Sequence, residues 1–114
     1  MNRKIIFHGE SFIDFYKNLN SNVKSKFQYV FELIKQVERV PKKFLVPMKG
    51  YKGLFEIRVE YQSNIYRIFC CFEKGKLIIL FNAFQKKSQK TPKKEIEKAM
   101  KLKDEYFKLK NKKS

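Results

Sequence analysis

Three apolar runs separated by very short gaps confine the middle of this chain to a small set of folds. They are Leu54 to Tyr61, Ile65 to Phe72 and Leu77 to Phe84, with Gln62-Ser63 and the turn pair Lys74-Gly75 between them. Runs rich in Ile, Phe, Val and Tyr read as strands, and gaps this short suit antiparallel hairpins. Phe55, Ile57 and Val59 alternate with Glu56, Arg58 and Glu60, so the first strand has one buried face and one polar face. Arg58 and Arg67 sit inside these runs. An unpaired buried charge is costly, so both are expected to face a solvated surface, where a cationic sheet would meet an anionic partner.

The flanking segments supply helices. Lys4 to Phe7 reads as a short opening strand that ends at Gly9. Beyond Ser11, a candidate N-cap, Phe12, Phe15, Tyr16 and Leu19 recur at helical spacing. A longer helix starts near Ser21 or Asn22, with Val23, Phe27, Val30, Phe31, Ile34 and Val37 on one face. Pro41 is expected to end it, and the pair forms an αα-hairpin. Pro41 to Gly53, with Lys42, Lys43, Lys49 and Lys52, reads as an irregular crossover. The last helix opens with Thr91 as N-cap and Pro92 at its first position. Glu95 and Glu97 suit its positive end, and Ile96, Ala99, Met100, Tyr106 and Phe107 give it an apolar stripe. Residues Lys108 to Ser114 are expected to fray. The expectation is a single α+β domain over residues 1–114, ordered β-α-α-β-β-β-α. Its helices would cover one face of a small, largely antiparallel sheet and leave the other at least partly open and cationic.

Charge narrows the partners. A 43% hydrophobic content with twelve Phe argues for a folded chain, yet 27 Lys+Arg against 11 Asp+Glu give +16. Such an excess self-repels and attracts polyanions, which points to nucleic acid, a ribonucleoprotein or an acidic protein. From Lys86 onward there are twelve lysines against four acids, half of the net charge. His8 is the single histidine, so multi-histidine metal sites and a histidine acid/base pair are excluded. Cys70 and Cys71 are adjacent in a strand and point to opposite faces, which argues against a disulfide or a zinc site. There is no Gly-rich phosphate loop, no nucleophile elbow and no paired Asp for magnesium, so no cofactor is expected. No apolar run approaches the ~20 residues that span a bilayer, and no signal-peptide pattern is present. The expected location is cytoplasmic, with no membrane contact.

What remains is a set of cations and aromatics on a sheet: Arg58, Arg67, Lys86 and Lys87, with Tyr61, Tyr66 and Phe84. Cations neutralise phosphates and aromatic faces stack on exposed bases. RNA cleavage can run on such a set without metal, because the ribose 2′-hydroxyl supplies the nucleophile. The protein then orients the strand and stabilises the phosphorane and the leaving oxygen. Glu56, on the same strand face as Arg58, is a candidate base, and an exposed Glu56–Arg58 ion pair is the competing reading. A lysine inside the cationic cluster is another candidate base.

Gly53-Leu54-Phe55-Glu56-Ile57-Arg58, Tyr66-Arg67-Ile68 and Ala83-Phe84-Gln85-Lys86-Lys87-Ser88-Gln89-Lys90-Thr91-Pro92 occur in that order, followed by Glu95-Ile96-Glu97-Lys98-Ala99. In this string the chain resembles the RelE/ParE superfamily of type II toxins, in particular its HigB-like, phage-derived branch. The resemblance implies the fold above and a toxin that enters the ribosomal A site. It further implies metal-free mRNA cleavage through the 2′-hydroxyl, leaving a 2′,3′-cyclic phosphate. Arg58 and Arg67 would then contact the scissile phosphate, and Lys86 or Lys87 would stabilise the leaving oxygen or hold the backbone. Phe84 would stack on a base, and Lys49, Lys52 and Lys90 would add RNA contacts. The implied partners are the ribosome and mRNA and a cognate antitoxin, helix-turn-helix and HigA-like. Promoter DNA would be bound only by the toxin–antitoxin complex. Lysines stand where other members carry His or Tyr after the last strand, which leaves the general acid unassigned. Two other functions keep this fold: a ParE-like inhibitor of DNA gyrase, which the Lys86-Lys87 cluster and the in-strand arginines disfavour, and a non-catalytic RNA- or ribosome-binding module in which the same cations only anchor phosphates.

Overall fold

The three apolar runs become the middle of a five-stranded sheet in this computed structural model, which describes residues 2–112. In chain order the elements are β1 (Lys4–Phe7), α1 (Ser11–Lys17), α2 (Ser21–Gln36), β2 (Leu45–Pro47), β3 (Phe55–Tyr61), β4 (Asn64–Glu73), β5 (Leu77–Lys86) and α3 (Lys93–Lys112). The strands lie in the order β1-β5-β4-β3-β2. β1 runs parallel to β5 and the other pairs are antiparallel. The β4–β5 hairpin closes through Lys74, Gly75 and Lys76, with Lys74 and Gly75 at positive φ (55° and 71°) as the central pair of a tight turn. Lys76 donates its amide to the Glu73 carbonyl at 3.3 Å across that turn.

The helices do not share one face. The α1–α2 hairpin buries Phe12, Phe27, Val30, Phe31 and Ile34 against Ile57, Val59, Ile68, Ile78 and Leu80. On the opposite face, Ile96 and Ala99 of α3 pack with Leu54, Phe69, Cys71, Ile79, Phe81 and Phe84. The open cationic face is thus reduced to the part of the sheet that α3 leaves uncovered. The cause is visible in β4 and β5, where both parities are apolar, so both faces must be buried.

Smaller departures have local causes. Asn20 caps α2, its side chain accepting from the Val23 amide at 2.9 Å. At α1 the N-cap position falls on Glu10, without a side-chain bond, rather than on Ser11. α2 stops at Gln36, before Pro41, because Val37 turns to an extended conformation. The crossover contains β2, which pairs Leu45, Val46 and Pro47 with Ile57, Glu56 and Phe55. α3 starts at Lys93, and the Pro92 carbonyl accepts from the Glu95 and Ile96 amides. It remains helical to Lys112 instead of fraying at Lys108, while Lys113 and Ser114 lie outside the described residues. Among the described residues no helix is long and apolar enough to cross a membrane.

Cys70 and Cys71 are both buried, one in each core. Burial pushes the Cys70 thiol well above its usual value. It also raises Cys71 to about 11 against the opposing pull of Lys103. Thiolates are the reactive form, so iodoacetamide at pH 8 is expected to label neither cysteine until the protein unfolds. Mass spectrometry across a urea series would check this, and labelling of the native protein would contradict the two-sided burial. The sign for stability follows. Cys71 ionises near 9.0 when unfolded and about 11 when folded, so its contribution is intact below pH 9 and is lost as pH rises toward 11.

Candidate nucleic-acid interface

The β3–β4–β5 register builds the site. Arg58 pairs with Arg67, and Arg67 with Phe84, so these three side chains form one row on the α3 side of the sheet. The next row on that side is Glu60, Ile65 and Lys86. Strand spacing and rise place Arg58 and Lys86 roughly 12 Å apart at Cα. Lys87, Ser88 and Gln89 continue from Lys86 and, with Ile65, line a cavity of about 380 Å³.

Two arginines directly opposite each other repel, and Glu56 compensates. Its Oε1 lies 3.0 Å from Arg58 Nε in a hydrogen bond and 3.4 Å from Arg67 Nε. The second contact is charge attraction without hydrogen-bond alignment, since Arg67 Nε is buried with no hydrogen-bond partner among the described residues. Arg67 Nη1 donates to the Tyr66 carbonyl at 3.2 Å. Burial lowers the Arg67 pKa, with Glu56 pulling it back up and Arg58 pushing it further down.

Several expectations change here. Arg67 does not face solvent: it is 7% exposed and Glu56 is 3% exposed. The exposed Glu56–Arg58 pair is instead a Glu56 carboxylate buried between two guanidiniums, which removes it as an accessible general base. Phe84 and Tyr66 are buried, Phe84 against Phe69 with ring centroids 5.7 Å apart, so neither ring is presented for base stacking. Lys49 and Lys52 are exposed in the loop before β3, at the end of the sheet opposite Lys86 and Lys87. They do not join the same cluster. Arg58, with a side chain 39% exposed, is the guanidinium that reaches the surface. Lys86 is half-buried, and Lys87 and Lys90 are exposed.

Asn82 was not anticipated. A bulge opposite Phe69 inserts a residue into β5, since Ile68 pairs with Ala83 but Cys70 pairs with Leu80. The fully buried Asn82 then donates through Nδ2 to the Glu95 carbonyl at 3.1 Å and to Glu95 Oε1 at 3.0 Å. That tie anchors the first turn of α3 to β5. The sequence signal was faint: one polar residue in an otherwise apolar run.

A five-stranded, mainly antiparallel sheet with a helical hairpin on one face and a C-terminal helix on the other is a RelE-like α+β fold. A chain of the archaeal RelE–RelB complex from Pyrococcus horikoshii OT3 matches it with a TM-score of 0.54 and 16% sequence identity. The match covers 73% of this chain and 93% of that one. By sequence, the chain belongs to the Phage derived protein Gp49-like family, which it matches over residues 14–104. No curated protein matches it.

Proposed function

We propose that this chain is the toxin of a type II toxin–antitoxin pair and acts as a ribosome-dependent mRNA endonuclease. The observation that carries the reading is the juxtaposition of Arg58 with Lys86 and Lys87 on the uncovered part of a RelE-like sheet. Arg58 would grip the scissile phosphate with its terminal nitrogens while Glu56 holds its Nε. Arg67, buried behind Glu56, would act as a positioning residue that holds this carboxylate in place. Lys86 would stabilise the departing 5′-oxygen, and Lys87 and Lys90 would hold the backbone. The 2′-hydroxyl attacks phosphorus, the P–O5′ bond breaks, and a 2′,3′-cyclic phosphate and a 5′-hydroxyl end result. The chain's contribution is orientation and charge stabilisation.

The matched Pyrococcus chain comes from a RelE–RelB complex, and a cognate antitoxin covering the cationic surface is the corresponding partner here. We take it to be a helix-turn-helix, HigA-like protein, with promoter DNA bound by the complex. The test is mRNA 5′-end mapping in cells after brief induction. Cuts in frame with translation are the expected result. Translation arrest without cuts would replace the reading by a non-catalytic ribosome binder. Inhibited supercoiling with translation intact would replace it by a gyrase inhibitor.

A further inference from the structure

β2 is three residues long and pairs no further along β3 than Ile57. The Arg58 amide makes one more bond, to the Phe44 carbonyl at 2.8 Å. Past that point no described residue pairs with the edge of β3, and two lysines from other elements reach it: Lys26 of α2 and Lys43 of the crossover. With Phe44, Arg58, Glu60 and Gln62 they line a notch of about 210 Å³. Neither lysine has an acidic partner among the described residues. Each ammonium instead sits over an aromatic ring, Lys26 Nζ 5.0 Å from the Tyr29 centroid and Lys43 Nζ 5.6 Å from that of Phe44. Such contacts hold a cation in place without neutralising it. Three cations therefore line this concave space with one carboxylate, Glu60, while Glu56 holds the Nε of Arg58 from beside it.

We propose that this notch is a second phosphate subsite, in which Lys26, Lys43 and Arg58 bind an RNA phosphodiester adjacent to the one held between Arg58 and Lys86. It rests on the reading above in taking RNA as the ligand. Arg58 is shared, so the backbone crosses the sheet from the β5–α3 loop and leaves over the β3 edge. Lys26 and Lys43 are binding residues that position the strand and take no part in proton transfer.

The test uses two probes and needs no cleavage. Inorganic phosphate titrated into isotope-labelled protein is expected to give saturable amide shifts at positions 26, 43 and 44, absent in the Lys26→Ala/Lys43→Ala double variant. A short, fully 2′-O-methylated RNA is expected to bind that variant at least tenfold more weakly at low salt. Its plot of log affinity against log salt should be shallower by about 1.4, the value for two lost contacts to a single strand. The Lys26→Arg/Lys43→Arg variant should retain wild-type binding, which separates charge from folding. Unchanged RNA affinity and salt slope in the alanine variant, or phosphate shifts confined to other residues, would overturn the subsite. A wild-type protein that binds phosphate here but cuts no mRNA would overturn the endonuclease reading and leave the subsite standing.

Discussion

Glu56→Ala is expected to cost about 3–5 kcal/mol of folding stability, the loss typical when one member of a buried ion pair is removed. Arg67 has a side chain 8% exposed, and its Nε already lacks a hydrogen-bond partner among the described residues. Without Glu56 its charge stays buried beside that of Arg58, which lies directly opposite in register. For a domain of this size the loss corresponds to a fall of roughly 10–20 °C in Tm. The compensating experiment is Glu56→Ala combined with Arg67→Met. Replacing a whole buried ionic group with apolar side chains is often neutral, so most of the lost stability should return. Urea unfolding followed by circular dichroism would measure both variants. A single variant within about 1 kcal/mol of wild type, at the precision such extrapolations allow, would mean that Glu56 does not carry the charge balance.

That balance explains which parts of the molecule were legible in the sequence. Strand positions followed from short-range rules: β-rich runs, gaps of two or three residues and a turn that needs Gly75 at positive φ. α1 and α2 were readable for a similar reason, because Phe27, Val30, Phe31 and Ile34 fall on one helical face. The placement of α3 on the far side of the sheet depended on β4 and β5, where Phe69, Cys71, Ile79 and Phe81 face it. Apolar residues on both parities were the signal for two-sided burial, and the conspicuous Glu-Arg alternation of β3 pointed the other way. The burial of Arg67 is hidden from the sequence for the same reason. Charge in a strand suggests solvent when the compensating carboxylate is not recognised, and that carboxylate came from the neighbouring strand in a specific register. The motif string nonetheless located the fold, which is RelE-like. Lys26 and Lys43 carried no comparable signal, because lysines on a helix and in a loop meet only through the short reach of β2.

The same geometry redistributes the catalytic roles and makes Arg58 the decisive probe of the proposed reaction. Arg58→Ala is expected to lower the frequency of in-frame mRNA cuts about 10²–10³-fold, the loss seen when a preorganised donor to transition-state charge is removed. Folding should be nearly unaffected. The Arg58 side chain is 39% exposed, and Glu56 keeps Arg67 as its counter-charge in the variant. Arg67→Met should behave differently. It leaves the surface guanidinium in place but removes the charge behind Glu56, so a smaller loss of cutting is expected, accompanied by a change in stability. Arg58→Lys should fall between wild type and Arg58→Ala, since an ammonium keeps the charge but not the two-pronged grip on a phosphate. Thermal melts would be recorded beside 5′-end mapping for all three variants, at matched protein levels. Wild-type cutting by folded Arg58→Ala, with cutting abolished in a folded Arg67→Met, would reverse the assignment and require the buried arginine to reach the phosphate through a rearranged site.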